Sequence, residues 1–208
     1  MTKEILISGS TGFIGKELIK KIINLKYKIK CISRKKPTSD NLDYINASLE
    51  SGFPDVDVSN NTTLIHLAWN NVRKTNDPLH ITDELDIQFN FIEKAVNSGV
   101  QKVIVAGSCY EYGMVYGPID VNHPTNPITS YGLAKTELFK KLKNLQSKNK
   151  FSLIWPRIFY IYGDDDDSGN IISQFDQAIK DGDKVFSMSH GEQILDYLHV
   201  SDVADKLI

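Results

Sequence analysis

Cysteine is nearly absent. Cys31 and Cys109 are the only two in 208 residues, which excludes a disulfide framework and fits a reducing compartment. The five histidines are scattered, no metal-ligand spacing appears, and no metal is expected. No apolar run reaches membrane length and no secretory leader opens the chain. The expectation is a cytoplasmic, soluble protein without a membrane partner. Charge of one sign is lacking as well. The 24 Lys and Arg nearly balance 26 Asp and Glu, for a formal net charge of −2, so charge implies no nucleic-acid partner. The lysine-rich stretches 16–36 and 135–150 read as solvated helix faces and loop. Internal repeats and low-complexity linkers are missing.

What is present suits one sizeable α/β domain with a real core. Apolar strand-like runs at Ile5–Ser8, Lys28–Ser33, Thr63–Leu67, Lys102–Ala106 and Ser152–Ile158 alternate with helical patterns. The helices are expected at about 13–25, 82–98, 130–148 and 170–180. Leu85, Phe89, Ile92 and Val96 recur at helical spacing as a packing stripe. Such alternation predicts a doubly wound parallel sheet with helices on both faces. After about residue 160 the pattern loosens, and Gly163 with Asp164 to Asp167 reads as an acidic, solvated loop. The last residues, Asp205 to Ile208, lie in a young helix without a stop signal, so continuation of the natural chain is expected.

The stretch from Ile5 to Gly15, ILISGSTGFIG, is the most informative. A buried strand runs into a glycine turn and then into an amphipathic helix. That order suits a dinucleotide pyrophosphate. Gly9 is assigned the tight turn, Gly12 the approach of backbone to phosphate, and Gly15 the close packing of helix on strand. The spacing is G-x-x-G-x-x-G.

Two further clusters carry chemistry. Tyr131 and Lys135 stand four apart on one helical face, with Ser130 as a possible cap. An ammonium beside a phenol favours the phenolate and lowers its pKa from about 10. A phenol so tuned exchanges a proton with an alcohol or carbonyl. The segment Ala106 to Gly113 follows a strand, so Ser108 stands at the carboxyl end of a sheet strand, where open α/β folds bind ligands.

Glycine loop, Ser108, then Tyr131 and Lys135, in this order, resemble the extended short-chain dehydrogenase/reductases, which include nucleotide-sugar epimerases, dehydratases and reductases. Ile65-His66-Leu67-Ala68, Pro156 to Gly163 and Leu195 to Ala204 resemble further segments of that family. The resemblance implies an NAD(P)-binding Rossmann domain over 1–160. Residues 161–208 begin a small, incomplete nucleotide-sugar-binding part interleaved with it. It implies Ser108, Tyr131 and Lys135 as catalytic residues. Cofactor contacts fall to Gly9, Thr11, Gly12, Phe13, Ile14, Gly15, Arg34, Lys35, Leu67, Ala68, Tyr131, Lys135 and Pro156. Substrate contacts fall to Trp69, Cys109, Tyr110, Arg157 and Tyr160. A homodimer is expected.

Departures from the family pattern narrow the activity. Dehydratases carry Asp-Glu after the catalytic Ser or Thr. Cys109 and Tyr110 stand there, with Glu111 one place on and pointing another way, which disfavours dehydration. Ser33-Arg34-Lys35-Lys36 occupies the place of an NAD-binding acid and suits the 2′-phosphate of NADP, with NAD as the alternative. Ser48 replaces an adenine-side acid, and Leu195 an arginine that grips the substrate diphosphate; Arg157 is the candidate stand-in. The segment Gly107 to Gly113, with Trp69, looks most like bacterial deoxysugar 4-ketoreductases. The reading is an NADP(H)-dependent reductase of a nucleotide-linked 4-keto-6-deoxy sugar in surface-polysaccharide biosynthesis. The rivals are a nucleotide-sugar 4-epimerase holding NAD, and a non-catalytic NADP-binding regulator.

Overall fold

Every second residue of the central strands faces the same layer of helices, because successive side chains of a strand alternate between its faces. The computed structural model describes residues 3–38, 42–164 and 169–208, so most of the acidic loop at 164–167 lies outside the described residues. In chain order the elements are β1 (Glu4–Ser8), α1 (Phe13–Ile22), β2 (Lys28–Ser33), β3 (Asp43–Asn46) and β4 (Thr62–His66). A π turn (His80–Glu84) then leads into α2 (Leu85–Asn97). There follow β5 (Lys102–Val105), β6 (Gly107–Ser108), a 3₁₀ turn (Cys109–Glu111), α3 (Ser130–Lys148) and β7 (Ser152–Ile154). The chain ends with β8 (Arg157–Ile158), β9 (Tyr160–Tyr162), α4 (Ile171–Asp181), β10 (Tyr197–His199) and α5 (Val200–Lys206).

Six strands form one sheet in the order β3-β2-β1-β4-β5-β7, all parallel. The strand order reverses between β1 and β4, and the crevice at their carboxyl ends is the expected ligand position. One core layer joins Leu6, Leu64, Val103 and Val105 to Phe91, Ile92, Leu138 and Leu142 of α2 and α3. The other joins Ile5, Ile7, Ile65 and Ile104 to Leu18 and Ile22 of α1 and to Val203, Ala204 and Leu207. The α5 helix therefore packs into the main core, and Lys21 ties it to α1 through Asp205 at 2.7 Å.

The parallel sheet and its flanking helices match the expected Rossmann-type architecture, and the deviations have local causes. The run 152–158 does not form one strand. Pro156 lacks an N–H for the ladder, and its carbonyl accepts from Gly107 N at 2.8 Å, which starts the separate β6–β8 pair. Thr129, not Ser130, caps α3: its Oγ1 accepts from Gly132 N at 3.0 Å, while Ser130 Oγ reaches Asn76 O. Strand β3 escaped notice because it is a four-residue, half-buried edge. The β9–β10 pair joins three-residue segments remote in sequence.

Phe91 is fully buried, with its ring edge-on to Phe53 at 5.5 Å and 5.1 Å from His66. Phe91→Ala is expected to lower unfolding free energy by about 3–5 kcal/mol, the cost of a large cavity. Urea unfolding measures it, and an unchanged midpoint would contradict the assigned packing.

Candidate active site

The turn after β1 is shaped by backbone crowding. Gly9 has φ +75°, and a Cβ there would lie 2.6 Å from Ala68 N, against the chain leaving β4. A Cβ on Gly15 would lie 2.2 Å from Gly9 O and 2.8 Å from Ser10 Cα, so this helical glycine packs on the turn itself rather than on the strand. Gly12 is different. A Cβ there would meet only Gly9 O, at 3.3 Å, so the turn leaves an open cradle before α1. The first helical bond is Lys16 N to Gly12 O. The N–H groups of Phe13, Ile14 and Gly15 precede it and have no intrahelical acceptor. A cradle of this shape, with donors and the positive helix end behind it, fits a diphosphate. Thr11 is exposed on the same turn.

At the carboxyl end of β5 the chain brings Ser108, Tyr131 and Lys135 together. The Ser108 hydroxyl accepts from Tyr110 N at 3.3 Å and acts on the nearby Tyr131 phenol. Lys135 Nζ donates to Ala106 O at 2.8 Å and lies 5.6 Å from the Tyr131 ring centroid. Lys135 is only 3% exposed, and burial lowers its pKa to about 7 against the opposing charges of Glu111 and Glu84. Burial raises the Tyr131 phenol well above its ordinary value, with only Ser108 acting the other way. The expectation of a phenolate favoured by Lys135 is thus corrected. Desolvation leads, and the Lys135 ammonium bonds the Ala106 carbonyl rather than the phenol, so Tyr131 stays protonated.

Glu111 is fully buried and turned away from this opening. It closes a capping box by accepting from Ser108 N at 2.8 Å. It also accepts from Trp155 Nε1 at 2.9 Å and pairs with Arg157 Nε at 2.7 Å. Arg157 also donates to the Tyr112 hydroxyl at 3.3 Å. One edge of the Arg157 guanidinium is thus held by Glu111 and Tyr112. Sequence reasoning passed over Glu111 as a site residue; its one signal was a carboxylate three residues after a serine at a strand end.

A second polar chain was also missed. Gln88 donates through Nε2 to Glu84 Oε1 (2.6 Å) and to Ala68 O (3.2 Å). These two acceptors fix its amide, so its Oε1 accepts from His66 Nε2–H, and His66 Nδ1 accepts from Ser8 Oγ at 2.7 Å. Burial lowers His66 to about 4. Glu84 also accepts from Asn70 N and Nδ2, at 3.0 and 3.1 Å. This chain fixes the segment after β4 that carries Leu67, Ala68 and Trp69.

The remaining expected residues surround these two groups. Arg34 and Lys35 are exposed after β2. The carbonyl of Lys35 accepts from Ser33 Oγ, and Ser33 Oγ accepts in turn from Ser10 Oγ of the glycine turn. Glu50, two residues past Ser48, has its carboxyl held below the usual range by its own backbone N–H, then Ser48, Asn70 and Arg34, against burial. Tyr110 packs 5.9 Å from the Tyr131 ring. Burial raises the Cys109 thiol and the Tyr110 phenol, so neither is an acid near neutral pH. Tyr160 lies within electrostatic reach of both. Pro156 stands at the β6–β8 junction.

A glycine turn at the switch point of a parallel sheet, with Ser, Tyr and Lys beside it, defines a Rossmann-fold protein of the dinucleotide-binding class. A model of the NAD dependent epimerase/dehydratase family matches residues 5–208, and the chain belongs to that family. It is 30% identical to dTDP-6-deoxy-L-talose 4-dehydrogenase (NAD(+)) of Aggregatibacter actinomycetemcomitans, over 96% of this chain and 77% of the relative. It is 28% identical to a putative UDP-glucose 4-epimerase of Methanocaldococcus jannaschii, over 96% of this chain and 70% of the relative. The fold matches a UDP-N-acetylglucosamine 4-epimerase from Methanobrevibacter ruminantium M1, with a TM-score of 0.83 at 23% identity, covering 98% of this chain and 71% of that one. No helix among the described residues is long and apolar enough to cross a membrane.

The buried imidazole predicts acid sensitivity. The folded pKa of His66, about 4, lies below its ordinary 6.5. Between these values the unfolded chain binds a proton that the folded one does not. Stability is therefore whole above pH 6.5 and falls as pH drops toward 4, by on the order of 3 kcal/mol from this group. Urea midpoints from pH 7 to 4 measure the slope, and His66→Asn should flatten it.

Proposed function

We propose that the protein is an NADP(H)-dependent reductase of a nucleotide-linked 4-keto-6-deoxy sugar. The observation that carries this reading is the buried Lys135 beside Tyr131 on α3, with its Nζ on Ala106 O just past the carboxyl end of β5. The relative acting at C4 of a dTDP-linked 6-deoxy sugar supports the substrate class. A bound reduced nicotinamide supplies the hydride that adds to the C4 carbonyl carbon. Tyr131, which burial keeps protonated, gives its phenolic proton to the carbonyl oxygen, and the ketone becomes a secondary alcohol. Ser108 orients the same oxygen through its hydroxyl. Lys135 offers an N–H to a ribose hydroxyl and stabilises the phenolate left on Tyr131. Neither Cys109 nor Tyr110 serves as the acid that dehydration needs.

The coenzyme reading rests on the exposed Arg34 and Lys35 after β2, in the place of an acid that would bind the ribose of NAD. Glu50 offsets part of the Arg34 charge, so Lys35 shares the contact. The relative from Methanocaldococcus favours a second reading, a nucleotide-sugar 4-epimerase holding NAD.

The deciding experiment is a screen of dTDP-, CDP-, GDP- and UDP-linked 4-keto sugars with NADPH, followed by absorbance. Stoichiometric oxidation of NADPH supports the reductase. Interconversion of C4 epimers without net oxidation supports the epimerase, and firm NADPH binding with no turnover supports a regulator. Tyr131→Phe is expected to lower turnover by about 10²–10⁴-fold with coenzyme affinity kept. An undiminished rate would remove Tyr131 as the acid. In fluorescence titrations NADPH should bind roughly tenfold or more tighter than NADH, and Arg34→Ala should erase most of the difference. Equal affinities in the parent protein would overturn the coenzyme assignment.

A further inference from the structure

Trp69 stands three residues past the end of β4 and is held from several sides. Its indole N–H donates to His80 Nδ1 at 3.1 Å. His80, itself buried, donates through Nε2 to Lys74 O at 3.0 Å, which fixes a neutral tautomer. The backbone on either side of Trp69 is pinned as well. Gln88 donates to Ala68 O, and Glu84 accepts from Asn70 N and Nδ2. His80 and Glu84 are the first and last residues of the π turn, so one wide helical turn grips the indole and the chain beside it. Single π turns of this kind recur at functional sites.

What the clamped ring presents is its face to Lys135. The ammonium lies 3.8 Å from the Trp69 ring centroid. The same indole stands edge-on to Tyr131 at 5.6 Å. An ammonium has three N–H donors. One is used by Ala106 O, one side is covered by the indole, and what remains serves a ligand. An indole face attracts a cation most strongly where water is excluded, and Lys135 is buried.

We propose that Trp69 is a positioning residue for Lys135: its indole face holds the ammonium against Ala106 O, and the π turn holds the indole. This rests on the reading of Lys135 as the lysine of a coenzyme-dependent site. It revises the part assigned to Trp69 from sequence, a substrate contact. The charged or titratable groups around the pair are Glu84 on the π turn, Glu111 on the 3₁₀ turn, His66 on β4, His80 beside the indole and Tyr131 on α3 itself.

The test uses the whole chain labelled with 5-fluorotryptophan, whose two ¹⁹F signals, from Trp69 and Trp155, are assigned with Trp69→Phe. The Trp69 signal of the parent should move through an inflection near the Lys135 titration, and Lys135→Met should abolish that inflection. Any inflection shared by both proteins belongs to another neighbour. An identical Trp69 titration in parent and Lys135→Met overturns the proposal, whatever the enzyme turns out to reduce. In parallel, Trp69→Leu should weaken binding of NADPH and NADH by about thirtyfold, the worth of one desolvated cation–π contact. Trp69→Phe, which keeps a smaller ring face and loses the pyrrole ring with its N–H, should recover part of that loss. Once a keto sugar is found, its KM should change little in Trp69→Leu while kcat falls. A loss carried by the sugar KM, with coenzyme affinity intact, overturns the proposal in favour of a substrate contact.

Discussion

The site depends on one buried carboxylate. Glu111 accepts from the backbone of Ser108, the indole of Trp155 and the guanidinium of Arg157. These donors come from three segments that share no continuous strand: the end of β6, the break after β7, and β8. A carboxylate buried without such partners would cost several kcal/mol, so the segments converge on it or the fold fails there. Their convergence sets the Ser108 hydroxyl against Tyr131. Pro156 contributes by ending the β7 ladder, which lets the chain turn and offer Trp155 and Arg157 to the same acid.

Around this anchor the charges are arranged in opposed pairs. Arg157 answers Glu111 directly. Among the described residues Lys135 has no carboxylate in contact, and it is steadied by the more distant Glu111 and Glu84, by Ala106 O and by the Trp69 face. Desolvation acts on lysine and tyrosine in opposite directions, lowering one and raising the other. The result is a protonated phenol beside a lysine that gains or loses its proton close to neutral pH. That pairing suits a proton donor whose product, a phenolate, needs a nearby positive charge.

The polar chain Ser8–His66–Gln88–Glu84–Asn70 gives this geometry its rigidity. It runs from the end of β1, beside the glycine turn, to the segment that carries Trp69. Each member is satisfied, and buried networks of this kind specify one arrangement because each alternative leaves a polar group unpaired. The coenzyme cradle and the lysine are thereby tied to the same buried residues.

The parallel sheet, its helix layers and the glycine turn were legible in the sequence, because each depends on local order. Apolar runs of period two or 3.6 and a strand–glycine–helix succession are written in neighbouring residues. Ser108, Tyr131 and Lys135 were legible for the same reason: a strand end and an i, i+4 pair are short-range patterns. Their ionisation was not. Spacing places a lysine near a tyrosine, but whether the phenol is raised or lowered depends on how much water the fold removes. The partners of Arg157, the role of Glu111 and the clamp on Trp69 were equally hidden. Arg157 and Glu111 stand 46 positions apart, and Trp69 and His80 stand 11 apart. Only tertiary structure decides which buried polar group finds which partner, because that choice follows from which segments the core brings within hydrogen-bond distance.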